Sequence, residues 1–449
     1  MYKVILIIRY LFKKQISYLA SIAVALCVFI VTVVMTIMTG LLTEFKQKNH
    51  NFVGDCIVGT ESLVGFPYYE DFMKILEQSD FVEAVSPVIK SYALVSLDGT
   101  ERSRGIEIMG IDPVRHGKVT GFGKTLHYNK DNVSKVFEPV YEPALAGCVV
   151  GVDLWLARDA WGEYSYASEP AKAALAITCF PLTAKGALAR AGADIVNTKI
   201  FYYSDTSQSG LARVDGSIIY LPFDDAQVLC GMAGTDKRAS AVYIKFRPDV
   251  KLAAGREKTA LLWKKFAEEK TGNKPTDLLK AVTVKSWKDY RRMFVAAMEK
   301  EYTMVAIMFA LVGITTVCIV FVVLYMIVSH KSKDIGILKS VGASKADVVE
   351  LFCGFSVMVG LLGSFVGIIC GWVFLLRINW IENWLFEHFG FQLWDRTIYA
   401  IGGIPNEIEP KLLAAIILAA VAVCLAGAFL PSRYAAKLEP VQSLQVSQL

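Results

Sequence analysis

The chain has 449 residues, of which 54% are hydrophobic and 20% are charged, and its mean hydropathy is +0.43. Soluble domains carry about 45–50% apolar and about 25% charged residues, so this composition excludes an ordinary soluble protein. The 47 Lys and Arg residues against 42 Asp and Glu residues leave a net charge of +5. That charge is too small and too evenly spread for a nucleic-acid-binding surface. Part of the chain is therefore predicted to lie in a membrane.

Four stretches of the sequence contain no Asp, Glu, Lys, Arg or His. They cover residues 16–42, 302–329, 351–376 and 412–430. Crossing the hydrocarbon core of a bilayer takes about 20 helical residues, so each stretch is predicted to form a transmembrane helix. The first stretch is longer than the roughly 7–15 apolar residues of a signal peptide. It is predicted to be an uncleaved anchor.

Basic residues near the membrane ends predict the orientation of these helices. Residues 1–15, 330–350 and 431–449 hold ten Lys or Arg, whereas the loop 377–411 holds three. The N-terminal segment 1–15, the loop 330–350 and the tail 431–449 are therefore predicted to be cytoplasmic. Residues 43–300 and the short loop 377–411 are predicted to lie on the opposite side.

Residues 43–300 have the composition of a globular α+β domain. Alternating and helical patterns predict a β-α-β-β order early in this segment and a strand, helix and strand near its end. We therefore predict a split ferredoxin-like part, at 43–113 and 240–300, with an insertion at 114–239. The clearest strand of the insertion is predicted at 218–222. The Ala/Gly-rich stretch 171–193 is predicted to be soluble, because it contains a proline and basic residues.

The sequence shows no constellation typical of catalysis or of a metal site. H-E-x-x-H and G-x-S-x-G are absent, and the five histidines are dispersed. Gly123-Lys124-Thr125 resembles the end of a P-loop, but the upstream glycine is at 117 and the spacing fails by one residue. We predict no enzymatic activity, metal or cofactor in this chain. The sequence leaves open whether the outside cysteines form disulfides or stay free; they are Cys56, Cys148, Cys179 and Cys230.

The cytoplasmic loop reads KDIGILKSVGAS at 333–344. Ile335, Leu338 and Val341 recur at three-residue intervals, which predicts a short helix with an apolar stripe. Gly342 is the predicted C-cap, and Ser344-x-x-Asp347 predicts a capping box at the start of the next helix. A solvated hairpin loop would need no apolar stripe, so the pattern favours a helix that docks on a partner.

This loop carries the most specific resemblance in the chain. The segment 331–344, KSKDIGILKSVGAS, resembles the coupling segment of the FtsX/MacB-like ABC permeases. The predicted order, with one helix, a large outside domain and then three further helices, is also the topology of that family. Within the family the chain is most similar to the lipoprotein-releasing permeases. The middle of the insertion, at about 155–215, departs from the family because it lacks the usual Gly-Asp turn. The similar stretches are 8–11 (IRYL), 219–227 (IYLPFDDAQ), 397–399 (TIY) with 404–408 (IPNEI), and 431–436 (PSRYAA) with 438–441 (LEPV).

The resemblance implies an α-helical membrane protein with four transmembrane helices and a large α+β periplasmic domain between helices 1 and 2. It implies a bacterial inner-membrane permease, with cytoplasmic termini, that pairs with an identical or paralogous permease and with a separate ABC ATPase. That ATPase would bind ATP and Mg²⁺, and the complex would move a lipoprotein to a periplasmic carrier. An efflux or cell-envelope permease of the same superfamily is the alternative. The implied ATPase-coupling residues are Lys333, Asp334, Ile335, Gly336, Ile337, Leu338, Lys339, Val341 and Gly342.

Two further sets of helix residues are singled out by the pattern. Small residues at helical spacing predict close helix packing; they are Thr32, Thr36 and Gly40 on the first helix and Gly360, Gly363, Gly367 and Gly371 on the third. The apolar faces of the first two helices border the large domain, which makes them the predicted acyl-facing walls, with core packing as the alternative. The residues predicted on these walls are Val33, Ile37, Val305, Phe309 and Val312.

Overall fold

The structure is a computed structural model, and its described residues form two compact units. The first comprises the described parts of Met1–Thr43, Ala297–Trp394 and Gly403–Leu449, and we call it the helix bundle. The second comprises the described parts of Glu44–Ala296, and we call it the α+β domain. The similar stretches at 8–11, 397–399 and 438–441 lie outside the described residues. The structure describes residues 15–97, 103–159, 161–188, 196–234, 237–271, 277–330, 332–392, 394 and 403–437.

The helices and strands are numbered along the chain. The helices are α1 (Gln15–Val53), α2 (Tyr69–Glu77), α3 (Pro113–Val119), α4 (Phe122–Thr125), α5 (Val152–Trp155), α6 (Ala212–Asp215), α7 (Phe223–Leu229), α8 (Leu252–Thr271), α9 (Asp277–Lys280), α10 (Trp287–Tyr290), α11 (Arg292–His330), α12 (Ser332–Ser340), α13 (Lys345–Phe389) and α14 (Pro410–Lys437). The strands are β1 (Cys56–Gly59), β2 (Phe66–Pro67), β3 (Val82–Leu97), β4 (Ser103–Ile111), β5 (Gly147–Gly151), β6 (Ala174–Cys179), β7 (Asn197–Ser207), β8 (Ile218–Pro222), β9 (Arg238–Ala239), β10 (Ala241–Phe246) and β11 (Thr283–Ser286).

Helices α1, α11, α13 and α14 are long and apolar enough to cross a membrane. They contain the four predicted spans, so the prediction of four apolar helices with an α+β domain is confirmed. Helix α13 has 45 residues and is about 67 Å long at 1.5 Å per residue. The hydrocarbon core is only about 30 Å thick. The polar ends of α13, with Asp347 at one end and Glu387 at the other, therefore lie beyond its apolar span.

Glycines bring α13 very close to α1 within the helix bundle. A Cβ atom added at Gly363 would lie 2.7 Å from a side-chain carbon of Val24, and one at Gly367 would lie 2.6 Å from the carbonyl oxygen of Ala25. No side chain fits at these distances. The absence of a Cβ atom therefore allows the two helix backbones to approach each other, as small residues do in other membrane helices.

The neighbouring glycines of α13 contact two different helices. A Cβ atom at Gly371 would lie 3.2 Å from the side chain of Thr32 on α1, and that threonine is fully buried. A Cβ atom at Gly360 would lie 3.3 Å from the sulfur of Cys424 on α14. In this row of glycines on α13, Gly363, Gly367 and Gly371 contact α1, whereas Gly360, at one end of the row, contacts α14.

Gly40 makes a different contact from the other small residues of α1. A Cβ atom at this position would lie 2.6 Å from the Cβ atom of Pro405, in the segment that precedes α14. Gly40 therefore accommodates this loop, although the sequence pattern places it on one stripe with Thr32 and Thr36. Both threonines are buried.

The α+β domain is built on one long sheet with antiparallel and parallel pairs. Its strand order is β11-β1-β10-β3-β4-β8-β5-β7-β6. The first four strands pair antiparallel, with α2 between β1 and β3 and α8 between β10 and β11. This is the strand order of a ferredoxin-like split β-α-β fold. The sequence ranges 43–113 and 240–300 thus contribute strands to one sheet.

Strand β3 is 16 residues long and has two neighbours along one edge. Its residues Val82–Val88 pair with β10, and its residues Ala93–Leu97 pair with β6. The opposite edge pairs with β4. Strands β3, β4, β8, β5, β7 and β6 therefore close into a ring, and ring closure removes exposed strand edges.

Helices α2 and α8 pack together against the sheet. The Phe72 ring of α2 meets the Trp263 ring of α8 edge to face, with ring centroids 4.8 Å apart. Phe66 and Phe266 pack on the same tryptophan. These aromatic side chains belong to a buried cluster of the domain, so burial of large apolar surface holds both helices on the sheet.

The insertion supplies strands β5 to β8 of this sheet. The strand predicted at 218–222 is confirmed as β8. The Ala/Gly-rich stretch 171–193 contains β6, which pairs with β7 and β3. Gly123-Lys124-Thr125 lies in the short helix α4, where the Thr125 hydroxyl is 2.8 Å from the Ser207 hydroxyl. The described part of that stretch, 171–188, and that tripeptide are structural parts of the domain.

The glycine contact predicts a position-specific effect on stability. Gly367→Ala should lower the free energy of unfolding by up to about 2 kcal/mol, because overpacking costs about 1–3 kcal/mol and the gain in helix propensity returns about 1 kcal/mol. Gly313→Ala on α11 is the matched control, since its Cβ atom would meet Val423 at an ordinary 3.8 Å. Thermal unfolding of the purified chain in detergent measures both. Equal stability of the two variants would contradict the packing role.

Candidate functional site

The end of helix α12 and the start of α13 are well defined, and the sequence encodes both. After the last turn of α12 the backbone N–H groups of Gly342 and Ala343 donate to the carbonyl oxygens of Lys339 and Leu338, at 3.1 and 3.0 Å. Gly342 has φ of +104°, a conformation that favours glycine, so this is a Schellman-type C-cap. The predicted capping box is confirmed: Ser344 and Asp347 exchange side-chain to backbone hydrogen bonds at the start of α13.

One face of α12 packs into the helix bundle. Ile335 is only 2% exposed and belongs to the same buried cluster as Val348 of α13 and Ala435 of α14. The Lys339 ammonium donates a hydrogen bond to the carbonyl oxygen of Ala436, at 2.6 Å. Helix α12 is therefore attached to the helix that follows it and to the C-terminal helix of the bundle.

The opposite face of α12 presents apolar side chains to the surroundings. Ile337 is 53% exposed and Val341 is 83% exposed, and their spacing of four residues puts them on one side. The sequence pattern predicts a docking stripe of Ile335, Leu338 and Val341 with Ile337 beside them, and this prediction is wrong for Ile335, which is buried. Ile335 faces the bundle and Leu338 is half-buried, so the exposed apolar pair is Ile337 and Val341. Among the other predicted coupling residues, Gly336 is buried, whereas the side chains of Lys333 and Asp334 lie outside the described part.

The helix bundle also contains an apolar cavity of about 590 Å³. It is lined by one face each of α1, α11 and α14, with Met35, Phe309 and Ile416 among the larger side chains. The lining also includes small residues such as Gly313 and Ala419. A cavity with these walls suits a hydrocarbon ligand better than a polar one.

The cavity lies between the helices predicted to form acyl-facing walls, but mostly on other faces. Of the predicted residues, Phe309 lines it, whereas Val33, Ile37, Val305 and Val312 do not. On α1 the lining residues include Val24, Val28 and Val31. Val33 is nine residues after Val24, which at 100° per residue puts it on the opposite side of the helix, and it is 8% exposed.

A set of polar contacts within the α+β domain joins the end of α1 to the start of α11. The Arg291 guanidinium donates to the side-chain oxygen of Asn49, at 2.7 Å, and lies over the Phe52 ring. The His50 ring stacks on Trp287, with ring centroids 5.1 Å apart. No local pattern indicates these contacts, because their partners are about 240 residues apart.

A buried cluster surrounds Lys90 in the same domain. The Lys90 ammonium donates a hydrogen bond to the Tyr290 hydroxyl and also lies 5.2 Å from the Tyr243 ring centroid. Burial opposes its charge, but the Tyr243 and Tyr290 hydroxyls raise the pKa of Lys90. Burial and the Lys90 charge lower the pKa of His116 to about 3. The adjoining void of about 30 Å³ is too small for a substrate.

Comparisons with known proteins show similarity to transporter permeases. Residues 306–440 match the family model of the FtsX-like permease C-terminal domain. The chain is 23% identical over 434 residues to the lipoprotein-releasing system transmembrane protein LolC of Neisseria meningitidis, and the alignment covers 97% of this chain and 95% of that protein. It is 28% identical over 121 residues to LolE of Haemophilus influenzae, which is 27% of this chain and 29% of LolE. It is 24% identical over 231 residues to the macrolide export protein MacB of Agrobacterium fabrum, which is 51% of this chain and 31% of MacB.

These matches indicate first a class of transporter permeases and then one group of permeases within that class. The segment 306–440 matches an FtsX-like permease domain, and the chain resembles the FtsX/MacB-like ABC transporter permeases. Within that class it resembles the LolC/LolE-type permeases along nearly its whole length. Helix α12 lies inside the matched segment 306–440.

Proposed function

We propose that this chain is the permease subunit of an ABC transporter that extracts lipoproteins from the inner membrane and passes them to a periplasmic carrier. ATP hydrolysis in a separate ATPase chain drives the extraction. The observation that carries the proposal is helix α12, which is anchored to the bundle by Ile335 and Lys339 and exposes Ile337 and Val341. The similarity to LolC over 97% of the chain supports the substrate class.

The energetics of a lipid anchor explain why such a transporter needs ATP. Each buried acyl CH₂ group stabilises the anchored state by about 0.8 kcal/mol, so a chain of about 16 carbons contributes roughly 12 kcal/mol. Spontaneous release of a lipoprotein with several such chains is too slow to be useful. The apolar cavity between α1, α11 and α14 offers a place where an acyl chain can leave the bilayer without contacting water.

The proposal assigns each partner a chemical role. The cytoplasmic ATPase binds ATP and Mg²⁺, and this chain holds no cofactor of its own. A second permease, identical or paralogous, completes the membrane part, and the lipoprotein and its carrier meet the complex at the periplasmic side. The protein is a multi-pass inner-membrane protein, and in the proposal both its termini are cytoplasmic.

A second candidate is an efflux permease of the same superfamily, favoured by the similarity to MacB over half of the chain. Reconstitution of the purified complex in proteoliposomes separates the two candidates. The lipoprotein proposal expects ATP-dependent transfer of a triacylated lipoprotein to a soluble carrier. ATP-dependent loss of a small hydrophobic drug without lipoprotein transfer would favour the efflux function.

Substitutions on the exposed face of α12 test its proposed role in binding the ATPase. Ile337→Glu and Val341→Glu should each weaken ATPase binding about 10- to 100-fold, because burying one such side chain contributes about 1.5–3 kcal/mol. Both variants should fold normally, since these side chains are exposed in the isolated chain. Binding is measured by titrating the purified permease with its ATPase, together with the hydrolysis rate.

Two matched variants serve as controls for this experiment. Lys345→Glu adds the same carboxylate at an exposed position at the start of α13 and should leave ATPase binding unchanged. Ile335→Glu should instead lower the thermal stability of the permease, because it buries a carboxylate without a partner. Full binding and turnover with both Ile337→Glu and Val341→Glu would show that α12 is only a connector.

The cavity gives a second prediction. A photoreactive phenylalanine analogue at Phe309 or Ala419, which line the cavity, should cross-link to the acyl chains of a bound lipoprotein. The same analogue at Val33, outside the cavity lining, should capture little lipoprotein. Products are identified by mass spectrometry of purified complexes. Equal capture at all three positions would mean that the cavity has no special part in lipid binding.

The orientation gives a third prediction. Ser168 in the α+β domain and Ser340 on α12 are both exposed, so a cysteine at either position can react when reagent reaches it. In intact spheroplasts a membrane-impermeant maleimide should label Ser168→Cys above the background of the parent chain, and it should label Ser340→Cys only after permeabilisation. The reverse pattern would overturn the proposed orientation.

A further inference from the structure

An open cavity of about 200 Å³ lies within the α+β domain beside the end of α1. Three stretches of the chain line it: the end of α1, the segment that contains α3 and α4, and the turn that follows β7. Its charged lining residues are Lys48 and Lys124, and no Asp or Glu of the described residues lines it. Its aromatic lining residues include Phe52, Phe122 and Tyr220. We call it the lysine cavity, and its lining carries positive charge.

The lysine cavity also holds hydrogen-bond donors without acceptors. The side-chain oxygen of Asn51 accepts a hydrogen bond from the Gln47 amide, at 3.3 Å, and that of Gln208 accepts one from the Tyr166 hydroxyl, at 3.4 Å. Among the described residues, no acceptor takes a hydrogen bond from the NH₂ groups of Asn51 and Gln208, and no carboxylate pairs with Lys124. A group that only accepts hydrogen bonds and is negatively charged would satisfy all three donors.

Two carboxylates near the lysine cavity are held by other groups. The Lys48 ammonium forms an ion pair with Glu44, at 3.0 Å. The buried Asp215 carboxylate accepts hydrogen bonds from the backbone N–H and the hydroxyl of Ser209, at 2.8 and 2.7 Å, and from the next backbone N–H, at 2.9 Å. Neither carboxylate lines the cavity, so neither repels an anion from within it.

The length of α1 indicates how far the lysine cavity is from the membrane. Helix α1 continues from its uncharged stretch, which ends at Leu42, to Val53. Lys48 comes six residues after Leu42, which is about 9 Å along the helix axis. The headgroup layer of a bilayer is about 5–8 Å thick on each side of the hydrocarbon core. The α1 wall of the cavity therefore lies next to the lipid headgroups of one leaflet.

We propose that the lysine cavity binds the phosphate group of an anionic phospholipid from the leaflet next to the α+β domain. Lys124 supplies the positive charge, and the NH₂ groups of Asn51 and Gln208 donate hydrogen bonds to the phosphate oxygens. All three residues are exposed, so a headgroup can reach them. A zwitterionic lipid such as phosphatidylcholine fits less well, because its own cation would meet the lysines. The site goes beyond the proposed function and does not depend on which substrate the transporter moves.

Native mass spectrometry of the full-length chain in detergent tests the site, with phosphatidylglycerol and phosphatidylcholine as probes. The parent should bind phosphatidylglycerol more tightly, and Lys124→Ala should weaken that binding about 10-fold, since hydrogen bonds to charged groups are worth about 1.5–3 kcal/mol. Lys118→Ala removes an equal charge from an exposed position of α3 outside the cavity lining and should bind like the parent. Equal affinity of Lys124→Ala and the parent for phosphatidylglycerol would overturn the proposal.

Two further measurements separate a built lipid site from simpler attraction. Gln208→Leu removes the amide donor without changing the charge and should weaken phosphatidylglycerol binding about 2- to 10-fold. Unchanged binding by this variant would mean that a surface cation alone attracts the lipid, and the cavity would then have no part. Inorganic phosphate should not displace the lipid from the parent chain. Displacement from the parent but not from Lys124→Ala would assign the site to a free anion and contradict a lipid site.

Discussion

The close contact between α13 and α1 is the packing constraint on which the rest of the helix bundle depends. Lipid tails are as apolar as leucine, so membrane helices gain little from hydrophobic burial and associate through close packing instead. Gly363 and Gly367 provide that packing because no Cβ atom would fit. The residue that Gly363 contacts, Val24, also lines the apolar cavity. The glycine row therefore fixes the position of one cavity wall.

The sequence predicts where a helix forms more reliably than it predicts which face of that helix is buried. Runs without charge indicate the four apolar helices, and Gly342 and Ser344 indicate where α12 ends and α13 begins, because these are local effects of backbone conformation and capping. The sequence does not show which face of α12 is buried against the helix bundle. Ile335 and Ile337 are chemically alike, and their burial is decided by contacts with α14, about 100 residues away. Periodicity alone cannot rank two such faces, and the same limit applies to Val33 and Phe309 at the cavity.

In the α+β domain, too, the sequence predicts single strands but not the contacts between residues far apart in the chain. A short apolar run in the sequence predicts strand β8 with its observed bounds, since one strand needs only its own residues. Ring closure depends on the second half of β3 pairing with β6, a strand far along the chain. The link between Asn49 and Arg291 likewise joins residues far apart in the chain. Such pairings have no signal in a single sequence, because spacing does not encode them.

The attachment of α12 to the bundle determines how a pulling force from a partner would act on the other helices. Burial of Ile335 contributes about 1.5–3 kcal/mol, and the hydrogen bond from the charged Lys339 ammonium to the carbonyl oxygen of Ala436 contributes about 1.5–3 kcal/mol more. A free loop would absorb a displacement of its exposed face by bending. Helix α12 is short, capped at its end and fixed to two helices of the bundle, so a force applied at Ile337 reaches α13 and α14 before α12 detaches. The same residues that make the helix part of the bundle therefore make it suitable for transmitting movement.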